Sequence, residues 1–202
     1  MDGNCARGDR PGTGALFAVD KSGRLNRSRR RAIATLCLGA AGVVALIVAG
    51  YAGGLRINFT PSYALGLWRI VPLDREARVG DLVFLCPPQS PAFALAIERG
   101  YIRRGLCPGW MTPLIKTIAA LPGQHVSVTA SLRADGLPIP HSGIREHDAE
   151  GRGLGRWSGG VVPDGQLFLH SDFAGSYDSR YFGPVPAEGL LGLAQPLLTF
   201  GP

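Results

Sequence analysis

The sequence predicts a mainly β domain carried on one N-terminal transmembrane helix. An uncharged apolar run of 24 residues, from Ala32 to Leu55, is long enough for a membrane-spanning helix, which takes about 20 apolar residues. After this run, Pro and Gly recur every several residues. No long stretch between them repeats apolar residues with the 3.6-residue period of an α-helix, so short strands are favoured over helices. At 202 residues the chain has room for this anchor and one compact domain.

Residues 1–31 are predicted to form a basic cytoplasmic tail. They contain eight basic and three acidic residues, so they carry +5 of the net charge of +6. The cluster RLNRSRRR precedes the apolar segment, residues 32–55, and short basic flanks stay on the cytoplasmic side. We therefore expect a single-pass protein of the inner (cytoplasmic) membrane with residues 56–202 in the periplasm. A cleaved signal peptide is the alternative, but its apolar core is usually only about 7 to 15 residues long.

The distribution of charge also bears on the partners of the protein. Because the basic residues are concentrated in the tail, the exported domain is nearly neutral, which argues against nucleic-acid binding. The tail is better explained by membrane orientation and by contact with anionic lipids. The lipid bilayer is therefore the first predicted partner.

Strands and one helix can be placed within the exported domain. The helix is predicted within PAFALAIERGYI, which begins at Pro91. Residues 140–160 are polar and rich in Gly, and we expect them to form a surface excursion. The strands are predicted in DLVFLCP from Asp81, PLIKTIAAL (113–121), QHVSVTA (124–130), GQLFLH (165–170) and LLGLAQPLL (190–198).

Two of the four cysteines, Cys86 and Cys107, fall in the exported domain. Thiols in an oxidising compartment commonly form a disulfide. Two thiols without a close histidine provide at most half of a zinc shell. The sequence therefore predicts a disulfide bond between Cys86 and Cys107.

The exported domain contains a single lysine, Lys116, among 13 basic residues. Arginine stays protonated at any workable pH, whereas a buried lysine loses its proton readily. Strand alternation places Lys116 on one face with Leu114 and Ile118, where aliphatic neighbours would lower the pKa of the amine. If a basic side chain activates a nucleophile here, it is Lys116. The alternative is a lysine whose stem packs on the sheet while its ammonium group reaches water.

The stretch NFTPSYALG, just after the apolar segment, contains the candidate nucleophile. Ser62 lies between Pro61 and Gly66, and a serine nucleophile needs a base and an oxyanion hole. The hydroxyl of Thr60 and the backbone N–H of Ser62 are candidate oxyanion donors. The alternative is an ordinary Ser/Thr turn at the membrane interface.

A third stretch, SDFAGSYDSRYFGPVP (171–186), alternates Ser176, Asp178 and Arg180. A hydroxyl orients a neutral amine by hydrogen bonding, and an Asp–Arg pair braces the wall that holds it. Taken alone, this stretch is equally compatible with a salt-bridged loop. Its occurrence after NFTPSYALG and PLIKTIAALPG, in that order, favours a shared site.

These three stretches resemble the signal peptidase I superfamily, the serine proteases with a Ser–Lys dyad, and above all its conjugative-transfer branch, the TraF peptidases. The resemblance extends from about residue 58 to residue 198. INFTPSYALGLWR is similar to the nucleophile stretch with its N-x-T-x-S-x-x-x-G core, PLIKTIAALPGQHVSV to the lysine strand, and SYDSRYFGPVP to the C-terminal box. Tyr63 and HSDFAGS stand where housekeeping enzymes usually have Met and a G-D-N entry, which favours the TraF branch.

The resemblance implies a signal-peptidase-like β-rich domain and a role for each matching residue. It implies Ser62 as nucleophile, Lys116 as general base and Thr60 as oxyanion donor. Ser176 and Asp178 would support the lysine, and Asp178 corresponds to a functional acid assigned in TraF peptidases. The expected reaction is acyl transfer on membrane-tethered precursors with small residues at the cut, such as a conjugative pilin precursor. Capture of the acyl-enzyme by a substrate amine would give cyclisation instead of hydrolysis.

Other interpretations of the domain remain open. A Ser–His–Asp hydrolase would use one of the exported histidines, but no serine lies in a G-x-S-x-G elbow. HSGIREH lacks the helical H-x-x-x-H spacing, so we predict neither a metal nor another cofactor. A general type I leader peptidase for secretory preproteins and a non-catalytic assembly factor of a secretion apparatus are the remaining alternatives. The exported histidines are His125, His141, His147 and His170.

Overall fold

The computed structural model describes residues 21–201. The first 20 residues of the predicted tail, including Cys5, and the last residue lie outside the described residues. Helix α1 (Lys21–Ala52) begins inside the segment predicted as tail. Its part Asn26–Ala52 is long and apolar enough to cross a membrane, as the sequence predicts.

The end of α1 differs from the predicted boundary of the apolar segment at Leu55. The helix ends at Ala52, and Gly53 and Gly54 form a turn. Gly54 has a φ of +83°, which favours glycine, and a Cβ there would lie 2.8 Å from a carbonyl oxygen of a neighbouring strand. Leu55 instead pairs with Arg69 in a sheet. The Gly pair, and not the end of the apolar run, therefore sets the helix boundary.

The folded domain, from residue 49 onward, contains two antiparallel sheets. Its strands are β1 (Leu55–Asn58), β2 (Leu65–Val71), β3 (Leu82–Leu85), β4 (Arg104–Cys107), β5 (Leu114–Ala120), β6 (His125–Val128), β7 (Leu132–Ala134), β8 (Leu137–Pro138), β9 (Gly160–Val161), β10 (Gln166–His170), β11 (Val185–Pro186) and β12 (Leu190–Phe200). The larger sheet has the order β1-β2-β12-β3-β5-β10-β11, and the smaller has the order β8-β7-β6-β9. Two short helices, α2 (Pro91–Glu98) and α3 (Ser179–Phe182), complete the regular structure together with 3₁₀ turns at Pro108–Trp110 and Ala187–Gly189.

The five predicted strands correspond to β3, β5, β6, β10 and β12, and the predicted helix contains α2. The prediction of a mainly β domain is therefore confirmed. The strands absent from the prediction are mostly two to four residues long, too short to show an alternation of apolar and polar residues. The longest of them, β2, pairs with β1 and β12 inside the larger sheet.

Strand β5 lies within the larger sheet and is buried on both faces. On one face Ile118 packs with Val83 and with Phe93 of α2. On the other face Ile115 packs with Trp68 and the neighbouring apolar residues. A strand with core on both sides holds its side chains in fixed positions, and β5 carries Lys116.

Glycine is required where β2 begins. Gly66 has a φ of +125°, and a Cβ at this position would collide with the carbonyl oxygen of Leu198 in β12. A residue with a side chain would therefore push apart the two paired strands. Since β2 follows the Ser62 turn directly, Gly66 helps to fix where this turn leaves the sheet.

The predicted disulfide between Cys86 and Cys107 is present, with the two Cα atoms 5.5 Å apart. Cys86 follows β3 and Cys107 ends β4. The bond thus closes a loop that contains α2, which begins with Pro91 at its first turn and buries Phe93 and Ala96. This loop forms one side of the cleft described below.

Residues 140–160 lie largely exposed on the surface, as predicted, with one isolated bridge between His147 and Gly153. Asp148 holds this excursion together by accepting hydrogen bonds from the Arg152 guanidinium and the Tyr101 hydroxyl. Tyr101 belongs to the segment after α2. The excursion is therefore attached to the same loop that the disulfide closes.

Candidate active site

The turn between β1 and β2 presents Ser62 and is organised by a buried asparagine. Asn58, at the end of β1, donates from Nδ2 to the carbonyl oxygens of Thr60, Tyr63 and Ala64 at 2.9, 3.1 and 3.0 Å. Its Oδ1 accepts from the backbone N–H of Thr60 at 3.0 Å and from the Thr60 hydroxyl at 2.7 Å. One amide side chain thus satisfies the backbone polar groups of the turn on both sides of Ser62.

The amine of Lys116 projects from β5 toward this turn. Lys116 is only 3% exposed. Its Nζ donates to the hydroxyl oxygen of Ser176 at 2.6 Å and to that of Ser62 at 3.3 Å. The Ser62 hydroxyl in turn donates to Ser176 at 3.3 Å. One nitrogen and two hydroxyl oxygens, from three distant parts of the chain, therefore form a triangle of hydrogen bonds.

Burial changes the acidity of this amine. Desolvation lowers the pKa of Lys116 to about 8, against an upward contribution from the negative charge of Asp178 and a further downward one from Arg180. About a tenth of the lysine is consequently neutral at pH 7, and about half at pH 8. A neutral amine is a proton acceptor, which an arginine in the same place could not be.

A buried ion pair lies behind Ser176. The Asp178 carboxylate accepts two hydrogen bonds from the Arg180 guanidinium, both at 2.8 Å, and both side chains are 0% exposed. Asp178 also caps α3 by accepting from the backbone N–H of Arg180, and it accepts from the backbone N–H of Ser171 at 3.1 Å. The pair is satisfied by several hydrogen bonds at once, as a buried pair must be to persist.

The Arg180 guanidinium extends this network to the loop that carries Ser176. It donates to the carbonyl oxygens of Ser176, Phe173 and Ser171 at 3.2, 3.3 and 3.4 Å, and to that of Gly143 at 2.9 Å. The planar guanidinium with five N–H groups is suited to such divergent contacts. These hydrogen bonds fix the backbone around Ser176.

Ser171 connects the same network to the turn that carries Ser62, a connection that sequence reasoning missed. Its hydroxyl donates to the carbonyl oxygen of Ser62 at 2.7 Å, across 109 residues of chain. The hydroxyls of Tyr63 and Thr117, 2.7 Å apart, make a second link between the turn and β5. Ser171 and Asn58 stand inside the motifs that carry the resemblance, but only their tertiary partners reveal what they contact.

The predicted site residues occupy two layers. Ser62, Lys116 and Ser176 are brought together by direct hydrogen bonds. Asp178, predicted as a catalytic acid, forms no hydrogen bond with Lys116 in the described part of the chain, because its two oxygens are bonded to the Arg180 guanidinium and to backbone N–H groups. The Thr60 hydroxyl, predicted as an oxyanion donor, donates to Asn58 in this structure.

A cleft of about 220 Å³ opens at Ser62. It is lined by the turn that carries Ser62, by the segment after α2 and by the start of β5. The lining residues are Phe59, Thr60, Pro61, Ser62, Gly100, Tyr101, Ile102, Arg103, Thr112, Pro113, Leu114, Ile115, Lys116, Phe173, Gly175 and Tyr177. The cleft thus has room for several backbone and side-chain atoms of a peptide beside the Ser62 hydroxyl.

Fold and site together define a class of protein. The family described as "Signal peptidase, peptidase S26" matches residues 29–198, and the chain belongs to this family. Membership makes it a serine peptidase of the signal peptidase type. The match covers both the membrane-compatible helix and the domain with the cleft.

Within this family the chain is a homologue of TraF conjugal transfer proteins. It is 57% identical over 173 residues to "Conjugal transfer protein TraF" of Agrobacterium tumefaciens, covering 86% of this chain and 98% of the relative. It is 54% identical over 179 residues to "Probable conjugal transfer protein TraF" of Sinorhizobium fredii, covering 87% and 95%. "Plasmid transfer protein TraF" of Escherichia coli is 37% identical over 167 residues, covering 79% and 92%. A signal peptidase I of Enterococcus faecalis, a solved structure, is 18% identical, covering 59% of this chain and 97% of that chain with a TM-score of 0.36.

Proposed function

We propose that this protein is a membrane-anchored serine endopeptidase of a conjugation system, and that it processes precursor proteins by acyl transfer through a Ser62–Lys116 dyad. The observation that carries the proposal is the buried amine of Lys116 within 3.3 Å of the Ser62 hydroxyl. In the described part of the chain, the hydrogen-bond partners of that hydroxyl are Lys116 and Ser176. No histidine is among them, which favours the Ser–Lys dyad over a Ser–His–Asp triad.

The first chemical step is the activation of the nucleophile. A neutral amine has two N–H bonds and one lone pair. One N–H of Lys116 donates to Ser176, and the lone pair accepts the proton of the Ser62 hydroxyl. The serine oxygen attacks the peptide carbonyl carbon, and the resulting ammonium then donates its proton to the leaving amine. Water, activated by the same amine, releases the acyl group and restores the Ser62 hydroxyl.

The oxyanion of the tetrahedral intermediate needs donors that point at it. The backbone N–H of Ser62 and the hydroxyl of Thr60 are the proposed donors. A rotation about χ1 redirects the Thr60 hydroxyl from Asn58 to the oxyanion when substrate binds. Asn58 Oδ1 keeps the backbone N–H of Thr60 as partner, so the turn retains its shape.

Ser176, Asp178 and Arg180 are proposed to position the base. Ser176 fixes the direction of the amine by a short hydrogen bond, and Arg180 fixes the backbone of Ser176. Asp178 holds Arg180 and, through the backbone N–H of Ser171, the hydroxyl that binds Ser62. Asp178 is therefore assigned as a positioning residue that affects Lys116 by charge and not by contact.

The proposed substrates are membrane-tethered precursors of the conjugation apparatus, such as a pilin precursor. Two observations support this. The relatives are conjugal or plasmid transfer proteins by name, and a helix compatible with a membrane ends only ten residues before Ser62 along the chain. We place the protein in the inner membrane with residues 1–31 in the cytoplasm and the catalytic domain in the periplasm.

The test uses the full-length chain in detergent or proteoliposomes with the pilin precursor of its own conjugation system. Mass spectrometry of the products gives the cleavage site and distinguishes a hydrolysed end from a cyclised product. Ser62→Ala and Lys116→Met should both abolish processing, whereas Ser158→Ala, an exposed serine away from the cleft, should process like the wild type. Circular dichroism establishes that each variant is folded.

Three outcomes would contradict the proposal. Cleavage of an ordinary secretory preprotein at a rate similar to that of the pilin precursor would indicate a general leader peptidase. Processing by Ser62→Ala at the wild-type rate would exclude the dyad. Should wild-type protein process nothing but bind other components of the conjugation apparatus, the assembly-factor interpretation would replace the enzymatic one.

A further inference from the structure

The cleft contains one exposed charged side chain, that of Arg103. Among the residues that line it, Lys116 is buried and Arg103 is exposed, and none is an aspartate or a glutamate. A binding cleft with a single accessible cation and no lining carboxylate favours anionic groups and disfavours cationic ones.

The Arg103 guanidinium takes part in no hydrogen bond or salt bridge within residues 21–201. Three other arginines of the domain have such partners. Arg99 donates to a backbone carbonyl oxygen, Arg152 pairs with carboxylates, and Arg180 is buried with Asp178. The donors of Arg103 are therefore available to a ligand, since no protein carboxylate competes for them.

The backbone of Arg103 is held while its side chain reaches across the cleft. Its carbonyl oxygen accepts hydrogen bonds from the backbone N–H and the hydroxyl of Thr112, at 3.0 and 3.2 Å. Its guanidinium carbon lies 5.9 Å from the centroid of the Phe59 ring, which also lines the cleft. Phe59 stands three residues before Ser62 in the nucleophile turn. The cation is thus supported by an aromatic face beside the turn that presents the nucleophile.

We propose that Arg103 and Phe59 form a carboxylate-binding subsite of the cleft, so that the enzyme selects peptides with a carboxylate close to the scissile bond. The carboxylate belongs either to an acidic side chain or to the C-terminus of the substrate. A guanidinium binds a carboxylate with two parallel hydrogen bonds, which adds direction to the charge attraction. A lysine or arginine of the substrate at the same place would be repelled. The inference rests on the proposed function, because it assigns a role within that peptide cleft.

Binding to the Ser62→Ala protein tests this subsite without depending on catalysis. The ligands are fluorescent decapeptides with an Ala-Ala centre in an Ala/Ser/Gly background. One series carries Glu, Gln or Lys in turn at each position around the centre, and a second compares a C-terminal acid with its amide. At one or more positions we expect about three- to tenfold tighter binding of Glu than of Gln, and weaker binding of Lys. A preference confined to the acid of the second series would assign the C-terminus as the source of the carboxylate.

Variants and salt locate the preference at Arg103. In a Ser62→Ala, Arg103→Gln protein the ratio of Glu to Gln affinity should fall to about one. The neighbouring Arg104→Gln is the matched control and should keep the ratio, because Arg104 is exposed but does not line the cleft. In Ser62→Ala protein that retains Arg103, the ratio should also shrink in about 0.5 M NaCl, where exposed charges are strongly screened.

Failure of this inference and failure of the proposed function give different results. Equal affinities for Glu, Gln and acid or amide peptides in Ser62→Ala protein, or an unchanged ratio after Arg103→Gln, would overturn the subsite. A carboxylate preference in binding, combined with wild-type protein that cleaves no peptide or precursor, would leave the subsite in place and overturn the peptidase proposal.

Discussion

The amine of Lys116 lies closer to the hydroxyl oxygen of Ser176, at 2.6 Å, than to that of Ser62, at 3.3 Å. The shorter contact determines where the nitrogen is held. In the proposed mechanism, the longer contact leaves room for proton transfer as the Ser62 oxygen approaches a substrate carbonyl. Ser176 itself stands on backbone that the buried Arg180 binds. The position of the proposed base thus depends on a buried ion pair that, among the described residues, forms no hydrogen bond with it.

The pH dependence of the reaction should follow the titration of Lys116. Because its pKa is lowered to about 8, the amine is mostly protonated and inactive below that pH. We expect kcat/KM for a peptide substrate to increase about tenfold per pH unit below pH 7.5 and to level off above pH 8.5. Steady-state kinetics between pH 6 and pH 10 measure this. A profile that is flat across pH 8 would contradict the assignment of Lys116 as base.

Removing the buried amine should stabilise the domain. The pKa of Lys116 falls from 10.5 to about 8 on folding, so below pH 8 the folded chain contains a disfavoured buried ammonium. That cost corresponds to about 3 kcal/mol. Lys116→Met also loses the hydrogen bonds to Ser176 and Ser62, which together offset about 1 kcal/mol of the gain. Urea unfolding at pH 7 should therefore show Lys116→Met to be about 2 kcal/mol more stable than the wild type.

The stability of the wild type should also depend on pH in a way that the variant does not share. Between pH 8 and pH 10.5 only the unfolded chain keeps the proton on Lys116, so wild-type stability should increase with pH in that window. Lys116→Met should lack this particular increase. A variant less stable than the wild type at pH 7 would mean that the amine is solvated and not desolvated.

Asp178→Asn should destabilise the domain strongly. The substitution leaves the Arg180 guanidinium buried without its counter-charge, which typically costs about 3–5 kcal/mol. Chemical denaturation measures the loss. Asp164→Asn changes an exposed carboxylate and serves as the control, with an expected effect below about 0.5 kcal/mol. Equal stability of the two variants would show that the buried pair is dispensable.

If Asp178→Asn remains folded at low temperature, its kinetics separate charge from positioning. The Asp178 carboxylate raises the pKa of Lys116. Its removal should therefore move the inflection of kcat/KM to lower pH, in addition to lowering kcat. A lower kcat with an unmoved inflection would indicate a purely structural contribution.

Asn58→Ala should loosen the turn that carries Ser62. The change removes a side chain that binds Thr60, Tyr63 and Ala64, and we expect a loss of about 2 kcal/mol in stability. Misplacement of Ser62 should lower kcat about tenfold to a hundredfold with a smaller change in KM. Gln195→Ala, which removes an exposed amide, is the control and should leave both parameters unchanged. Wild-type kcat in Asn58→Ala would show that the turn keeps its shape without the amide.

The disulfide should stabilise the loop with α2 and the cleft wall. Cys86 and Cys107 are 21 residues apart, for which loop entropy gives about 3 kcal/mol. Cys86→Ala with Cys107→Ala should lose about that amount in thermal or chemical unfolding. Cys37→Ser, in the apolar helix, is the control for the loss of a cysteine. A double variant as stable as the wild type would show that the surrounding packing holds the loop unaided.

The spacing of apolar residues and the positions of Gly and Pro were sufficient to predict much of the fold. The predicted positions are correct for β3, β5, β6, β10 and β12, because each of these strands has its own run of apolar residues between turn residues. β1 was not predicted, because its first residue, Leu55, is apolar and continues the apolar segment, to which it was therefore assigned. Its place in the sheet depends on the turn at Gly53 and Gly54 and on pairing with β2, which local sequence does not encode.

The sequence by itself determined the residue types from which a site can be built: one lysine beyond the apolar segment, serines at positions 62 and 176, and an Asp–Arg pair in the last motif. Only the tertiary structure decided their geometry. Contacts between residues far apart in the sequence, such as Ser171 with Ser62 at a separation of 109 positions, arise from sheet pairing and packing, which depend on the whole chain. The tertiary structure also determines the lowered pKa of Lys116, because desolvation is a property of the surrounding core and not of the lysine itself.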